Sequence, residues 1–139
     1  NDAATNTPAQ YILLEFIRQG LLDKQIQENV KHYRNKRDFM LVQMDRYFPD
    51  EVAWNRPGGG FFIFVQLPRD MDAANLFRQA VDKNVAFVTG QPFFADGSGH
   101  NTLRLSYAQA GYQDIEYGIR IIGDLIKAQI VGLKSGNTA

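Results

Sequence analysis

Cysteine is absent from the 139 residues, which removes disulfides, thiolate nucleophiles and thiolate metal sites and suits a reducing cytoplasm. Histidine is almost as scarce, with His32 and His100 only, too few for a histidine-rich metal centre. No apolar run approaches the ~20 residues of a membrane span; the longest are residues 11–14 and 61–65. Excess charge is missing too, since 15 Lys+Arg match 15 Asp+Glu, and a neutral chain has no bulk attraction for phosphate backbones or anionic lipid. What is present is an ordinary globular composition, 45% hydrophobic and 22% charged. A chain of this length buries roughly two-thirds of its unfolded surface, enough for one domain over 1–139 and too little for two. Residues 1–7 are small and polar and contain no Met; the expectation is a chain cut from something longer.

Thr7, Pro8 and Gln10 read as a helix start with a capping box. Residues 11–17 continue it as a short helix that is apolar nearly all round, and so expected to be buried on several sides, with Gly20 as its left-handed cap. Asp23 can cap a second helix, reaching about Phe48. Its Ile26, Val30, Tyr33, Met40, Met44 and Phe48 form one stripe, while Lys24, Asn29, Lys31, Lys36 and Asp45 form a solvated face, and Pro49 ends it. Residues 52–54 are a short strand. The strand at 61–65 shows no alternation, so both of its faces are expected to be covered, by helices or by another body. Asp72 caps a helix through Ala73, Leu76, Phe77, Ala80 and Val81, ending near Asn84. Strands at 85–88 and 102–107 flank a loop at 90–99, and a last helix runs over 113–131 on an Ile115, Ile119, Ile122, Ile126, Ile130 stripe, followed by a frayed polar tail. The order α-α-β-β-α-β-β-α predicts an α+β fold: a small, mostly antiparallel sheet with helices on one face.

Little in the chain looks catalytic. Both histidines read as solvated surface residues, and no pair of carboxylates has a spacing that argues for acid–base work. The glycines at 58–60 are followed by no Gly-Lys-Ser/Thr, so they make no phosphate loop; close backbone approach in packing is the expectation. Arg104 stands out. Leu103 and Leu105 share one face of its strand, and Thr102, Arg104 and Ser106 share the other. A mid-strand guanidinium flanked by hydroxyls offers a forked donor matched to a carboxylate; equally, it could pair with an internal Asp or Glu or lie on an open face. Phe61, Phe62, Phe64, Phe93 and Phe94 are expected mostly in the core. An RNA-stacking role for the first three is disfavoured by the neutral charge and the element order.

Three stretches taken together carry a resemblance: residues 57–68 (PGGGFFIFVQLP), 85–94 (VAFVTGQPFF) and 101–107 (NTLRLSY). In order and over essentially the whole chain they resemble the C-terminal small domain of class I/II, fold type I pyridoxal-phosphate aminotransferases, in the branch of 2-aminoadipate, kynurenine and aromatic enzymes. Residues 22–38 and the closing helix fit the same template. Thr89 departs from it, standing where the family usually has proline. The resemblance implies that Arg104 grips the substrate α-carboxylate and that Phe62 lies near the substrate side chain. It also implies a parent homodimer that moves an amino group between an α-amino acid and a 2-oxo acid, with pyridoxal 5'-phosphate held by a large domain of the same chain. No catalytic or cofactor-binding residue, and no bound cofactor, is expected in these 139 residues. None of the six lysines (24, 31, 36, 83, 127 and 134) sits in the family's Schiff-base context, so the segment alone is expected to be inactive. The other reading is a free-standing amino-acid-binding or regulatory α+β module without catalysis.

Overall fold

The structure, a computed structural model, describes residues 7–136. Residues 1–6 and 137–139, together with the Thr7 side chain on which the capping box depends, lie outside the described residues. The chain falls into two compact units, one ending at Asn35 and the other beginning at Lys36.

The first unit holds α1 (Thr7–Arg18) and the opening turns of α2 (Leu21–Tyr47). Gly20 joins them at φ 69°, its amide donating to the Ile17 carbonyl at 3.0 Å. A side chain is disfavoured in that left-handed conformation, so glycine ends α1 there. Helix α2 begins two residues before Asp23, whose charge still favours the first turn. Within the described residues α1 is largely uncovered, Tyr11 being 71% and Ile12 70% exposed. Ile26 and Val30 of the predicted α2 stripe are also exposed.

The second unit takes the rest of α2, then β1 (Ala53–Trp54), β2 (Phe62–Gln66), α3 (Ala73–Val81), β3 (Val88–Thr89), β4 (Thr102–Ser106) and α4 (Tyr112–Gly136). The strands form one sheet in the order β1-β2-β4-β3, every pair antiparallel. The architecture is the α+β layer the sequence predicts, in the predicted element order. Met40, Met44 and Phe48 of α2, Leu76 and Ala80 of α3, and the full isoleucine stripe of α4 are buried with Ile63, Val65, Leu103 and Leu105 of the sheet. Burying apolar surface on one side of the sheet leaves the other side open.

Within the described residues β2 is covered on one face only. Its burial alternates despite the unbroken apolar run: Ile63 and Val65 point inward, while Phe64 is 53% exposed. Lys36 corrects the sequence reading, being only 7% exposed and donating from Nζ to the Ala108 carbonyl at 2.9 Å. Asp72 caps α3 by accepting from the Ala74 amide at 2.7 Å. The same helix closes on Asn84 at φ 59°, with the Val85 amide donating to Ala80 O and the Asn84 amide to Val81 O at 3.0 and 2.9 Å. Those two bonds make a Schellman motif with asparagine in the left-handed seat. The motif commits the Val85 amide to the helix cap, and β3 begins at Val88, three residues later than the sequence reading has it.

In the glycine turn at 58–60 no backbone among the described residues approaches closely, and only Gly60 needs glycine for its conformation. Nothing lies within 4 Å of where a Cβ would sit at any of the three, and Gly60 has φ 84°. Its carbonyl accepts from the Tyr107 hydroxyl at 2.5 Å, tying the turn to the end of β4. Burial holds the Tyr107 phenol above its ordinary value, against the pull of the nearby Arg37 guanidinium and with a smaller push from the Asp38 carboxylate. Because the raised pKa belongs to the folded state, Tyr107's contribution is intact below the ordinary phenol value of about 10 and lost as pH climbs through the folded value. Tyr107→Phe is therefore expected to cost about 0.5–1.5 kcal/mol at neutral pH and to flatten the alkaline fall in stability. Urea midpoints between pH 8 and 11 measure both.

Candidate functional site

Arg104 stands mid-way along β4, directly across from Phe64 of β2 and Val88 of β3. Strand period two sends Leu103 and Leu105 into the core and brings Thr102, Arg104 and Ser106 to the open face. The same register puts Phe62 opposite Ser106 and Gln66 opposite Thr102.

The guanidinium is surrounded by rings. Its central carbon lies 3.6 Å from the ring centroid of Phe93, 5.0 Å from that of Phe62 and 5.8 Å from that of Phe64. Nε is buried and has no hydrogen-bond partner. Among the described residues the ion pairs join Arg37 to Asp38, Arg56 to Asp45 and Lys134 to Glu51; no acid pairs with Arg104. A buried N–H of a permanently charged group left in this state is costly unless something else meets the charge.

Around Arg104 opens a cleft of about 640 Å³, within the usual size of a small-molecule site. Trp54, Phe64, Phe93, Phe94 and Thr102 form much of its wall, and among the described residues Arg104 is its only charged side chain. The wall is assembled from backbone bonds as much as from side chains. The Gly90 amide donates to Thr102 O at 2.7 Å, and Thr102 Oγ1 donates to Gly99 O at 2.7 Å, so both ends of the 90–99 loop are tied to the residue two before Arg104. Within the loop a single 3₁₀ turn, Gln91–Phe93, presents Phe93. At the far end of the strand pair, buried Asn101 donates from Nδ2 to Leu67 O at 2.7 Å. On the loop tip, the Ser98 hydroxyl and amide bond Asp96 Oδ1 at 2.6 and 3.0 Å. That pairing, hydroxyl first, holds the Asp96 carboxyl below its ordinary value.

Phe62 and Arg104, the two residues singled out from the sequence, are thus brought together. The expectation that most of the five phenylalanines are core does not hold. Phe61, Phe64, Phe93 and Phe94 are all exposed, Phe93 by 58%. Sequence reasoning misses Phe93 and Phe64 as site residues because each lies in an apolar run, and only the pairing of β2 with β4 shows which rings share a face with Arg104. His32, beside the Tyr33 ring at 5.3 Å, and His100, with Nε2 3.2 Å from Arg69 O, are exposed and line no part of the cleft.

No protein-family profile matches the chain. Among curated proteins it is 42% identical over 118 residues to a 2-aminoadipate transaminase of Thermus thermophilus, covering 85% of this chain and 30% of that protein. Among solved structures it is similar to an alpha-aminoadipate aminotransferase of the same organism, complexed with N-(5'-phosphopyridoxyl)-L-leucine. The identity there is 40% and the TM-score 0.76, over 88% of this chain and 31% of that one. A multiple substrate aminotransferase from Thermococcus profundus gives a TM-score of 0.82 at 35% identity, over 93% of this chain and 32% of that one. At 26% identity, 91% of this chain also matches 28% of the HTH-type transcriptional regulator NorG of Staphylococcus aureus. The chain spans about a third of the length of the first curated relatives it matches. The open-faced sheet and these likenesses together make the chain similar to about a third of each of these aminotransferases, and the structural neighbours are fold type I pyridoxal-phosphate aminotransferases.

Proposed function

We propose that this chain is the C-terminal small domain of an aminotransferase that moves an amino group between an α-amino acid and a 2-oxo acid, with Arg104 binding the α-carboxylate of both. The observation that carries the reading is a guanidinium in a cleft with no internal acid to neutralise it. An α-amino acid and its 2-oxo acid differ at the reacting carbon and share the carboxylate beside it. One forked anchor therefore serves both substrates and holds the reacting carbon at a constant distance from β4. The exposed rings of Phe64 and Phe93 exclude water around the anchored pair and strengthen its attraction. Phe62, beside Arg104, contacts the substrate side chain.

Pyridoxal phosphate, when bound, supplies the carbonyl that takes up and returns the amino nitrogen. Holding it covalently takes a lysine, and among the described residues this cleft is lined by no lysine and no carboxylate. The residues here fit the substrate and not the cofactor. The groups that bind the cofactor are accordingly assigned to a large domain of the parent protein, a cytoplasmic homodimer on this reading, and residues 1–139 alone are inactive. The relatives' threefold greater length supports that division.

The test is amino transfer itself. The intact protein, given an α-amino acid and a 2-oxo acid, is expected to exchange their amino and oxo groups, and residues 1–139 alone are expected not to. Tight amino-acid binding by the intact protein without any exchange would instead favour a regulatory module, the reading that the likeness to NorG supports.

A further inference from the structure

The Arg104 guanidinium is held without an ionic partner, and the geometry points to Phe93 as the positioning residue that takes that partner's place, orienting the guanidinium for a carboxylate through the face of its ring. The inference rests on the carboxylate reading above. An arginine on an open sheet face has several rotatable bonds and, without an acid, nothing electrostatic to choose among them. At 3.6 Å from the Phe93 centroid the guanidinium carbon is in van der Waals contact with the ring face, while Phe62 stands farther off at 5.0 Å and Phe64, at 5.8 Å, lies near the limit of useful cation–π attraction.

An acid would fix the guanidinium by occupying the fork that a substrate needs. A ring fixes it through a face and leaves the in-plane donors free for a carboxylate. Attraction to the ring quadrupole also lowers the cost of keeping an unpaired cation in the empty site, without supplying an anion that substrate must displace. Phe93 is set by the strand it serves. The Gly90 amide bonds Thr102 O, and the Phe93 amide bonds Gly90 O at 2.9 Å, so two hydrogen bonds link the ring's backbone to the residue that shares a face with Arg104.

Two measurements on the intact protein test this. In the unmodified protein the Arg104 Nε–H proton is expected upfield of the other arginines, shifted by the ring current of Phe93; a resonance at the ordinary arginine position would overturn the proposal without any variant. In equilibrium binding of propionate, a probe with a carboxylate and little else, Phe93→Leu is expected to weaken affinity about 2- to 30-fold, with Phe93→Tyr restoring it. In turnover the loss is expected in KM, with kcat unchanged at saturation. Wild-type affinity in Phe93→Leu, or equal losses in the Leu and Tyr variants, overturns the positioning role. Arg104→Ala separates the layers: if it binds propionate as the parent does, the carboxylate reading fails, and if it alone loses binding, that reading stands and Phe93 is only a neighbour.

Discussion

In the intact protein Arg104→Ala is expected to lower kcat/KM for amino-acid substrates by about 30- to 5,000-fold, the equivalent of about 2–5 kcal/mol. The size follows from what is left behind. A substrate carboxylate brought among the rings of Phe62, Phe64 and Phe93 loses water on several sides, and without the guanidinium it has nothing to replace that hydration. Arg104→Lys is expected to recover only part of the loss, because an ammonium is a point charge with no fork to match two carboxylate oxygens. Steady-state kinetics with several amino acids measure this, and the loss should be similar for all, since every one presents the same carboxylate. An unchanged kcat/KM in Arg104→Ala would remove the clamp role.

Gly90→Ala is the second large effect, and it is one of space and not of backbone conformation, since Gly90 has φ −82°. A Cβ there would overlap Thr102 Oγ1 and stand 2.9 Å from Thr102 Cβ and 3.0 Å from Thr102 O. The hydroxyl cannot swing aside freely, because it is bonded to Gly99 O, and Cβ and the carbonyl are part of β4 itself. The loop must lift away from the strand, breaking the Gly90–Thr102 bond. A loss of about 1–3 kcal/mol in stability is expected, measured by denaturant midpoint, together with weaker carboxylate binding as Phe93 moves off Arg104. A variant as stable as the parent would mean that the loop relaxes without disturbing the strand.

Much of the second unit is legible in the sequence because its elements carry strong local signals. Asp72 before an i, i+3, i+4 pattern, the isoleucine stripe of α4 and the alternation around Arg104 each state their structure over a few residues. Lys36 escapes such a reading because a long aliphatic stem can carry an amine inward to a backbone acceptor far along the chain. The apolar residues of α1 suggest burial, and they are exposed in this structure; periodicity describes a face and never what covers it.

The residues themselves determined the order of elements, the inward stripe of α4 and most of that of α3 (Val81 at its end is exposed), and the face of β4 to which Arg104 belongs, since all of these depend on periods of two and 3.6 along a single segment. Only the tertiary structure decided which residues of 61–65 turn outward, that no acid meets Arg104, and that a ring from the 90–99 loop lies over its guanidinium. Those facts depend on the register between β2 and β4 and on the Gly90–Thr102 contact, pairings between separate segments of the chain that no local pattern encodes.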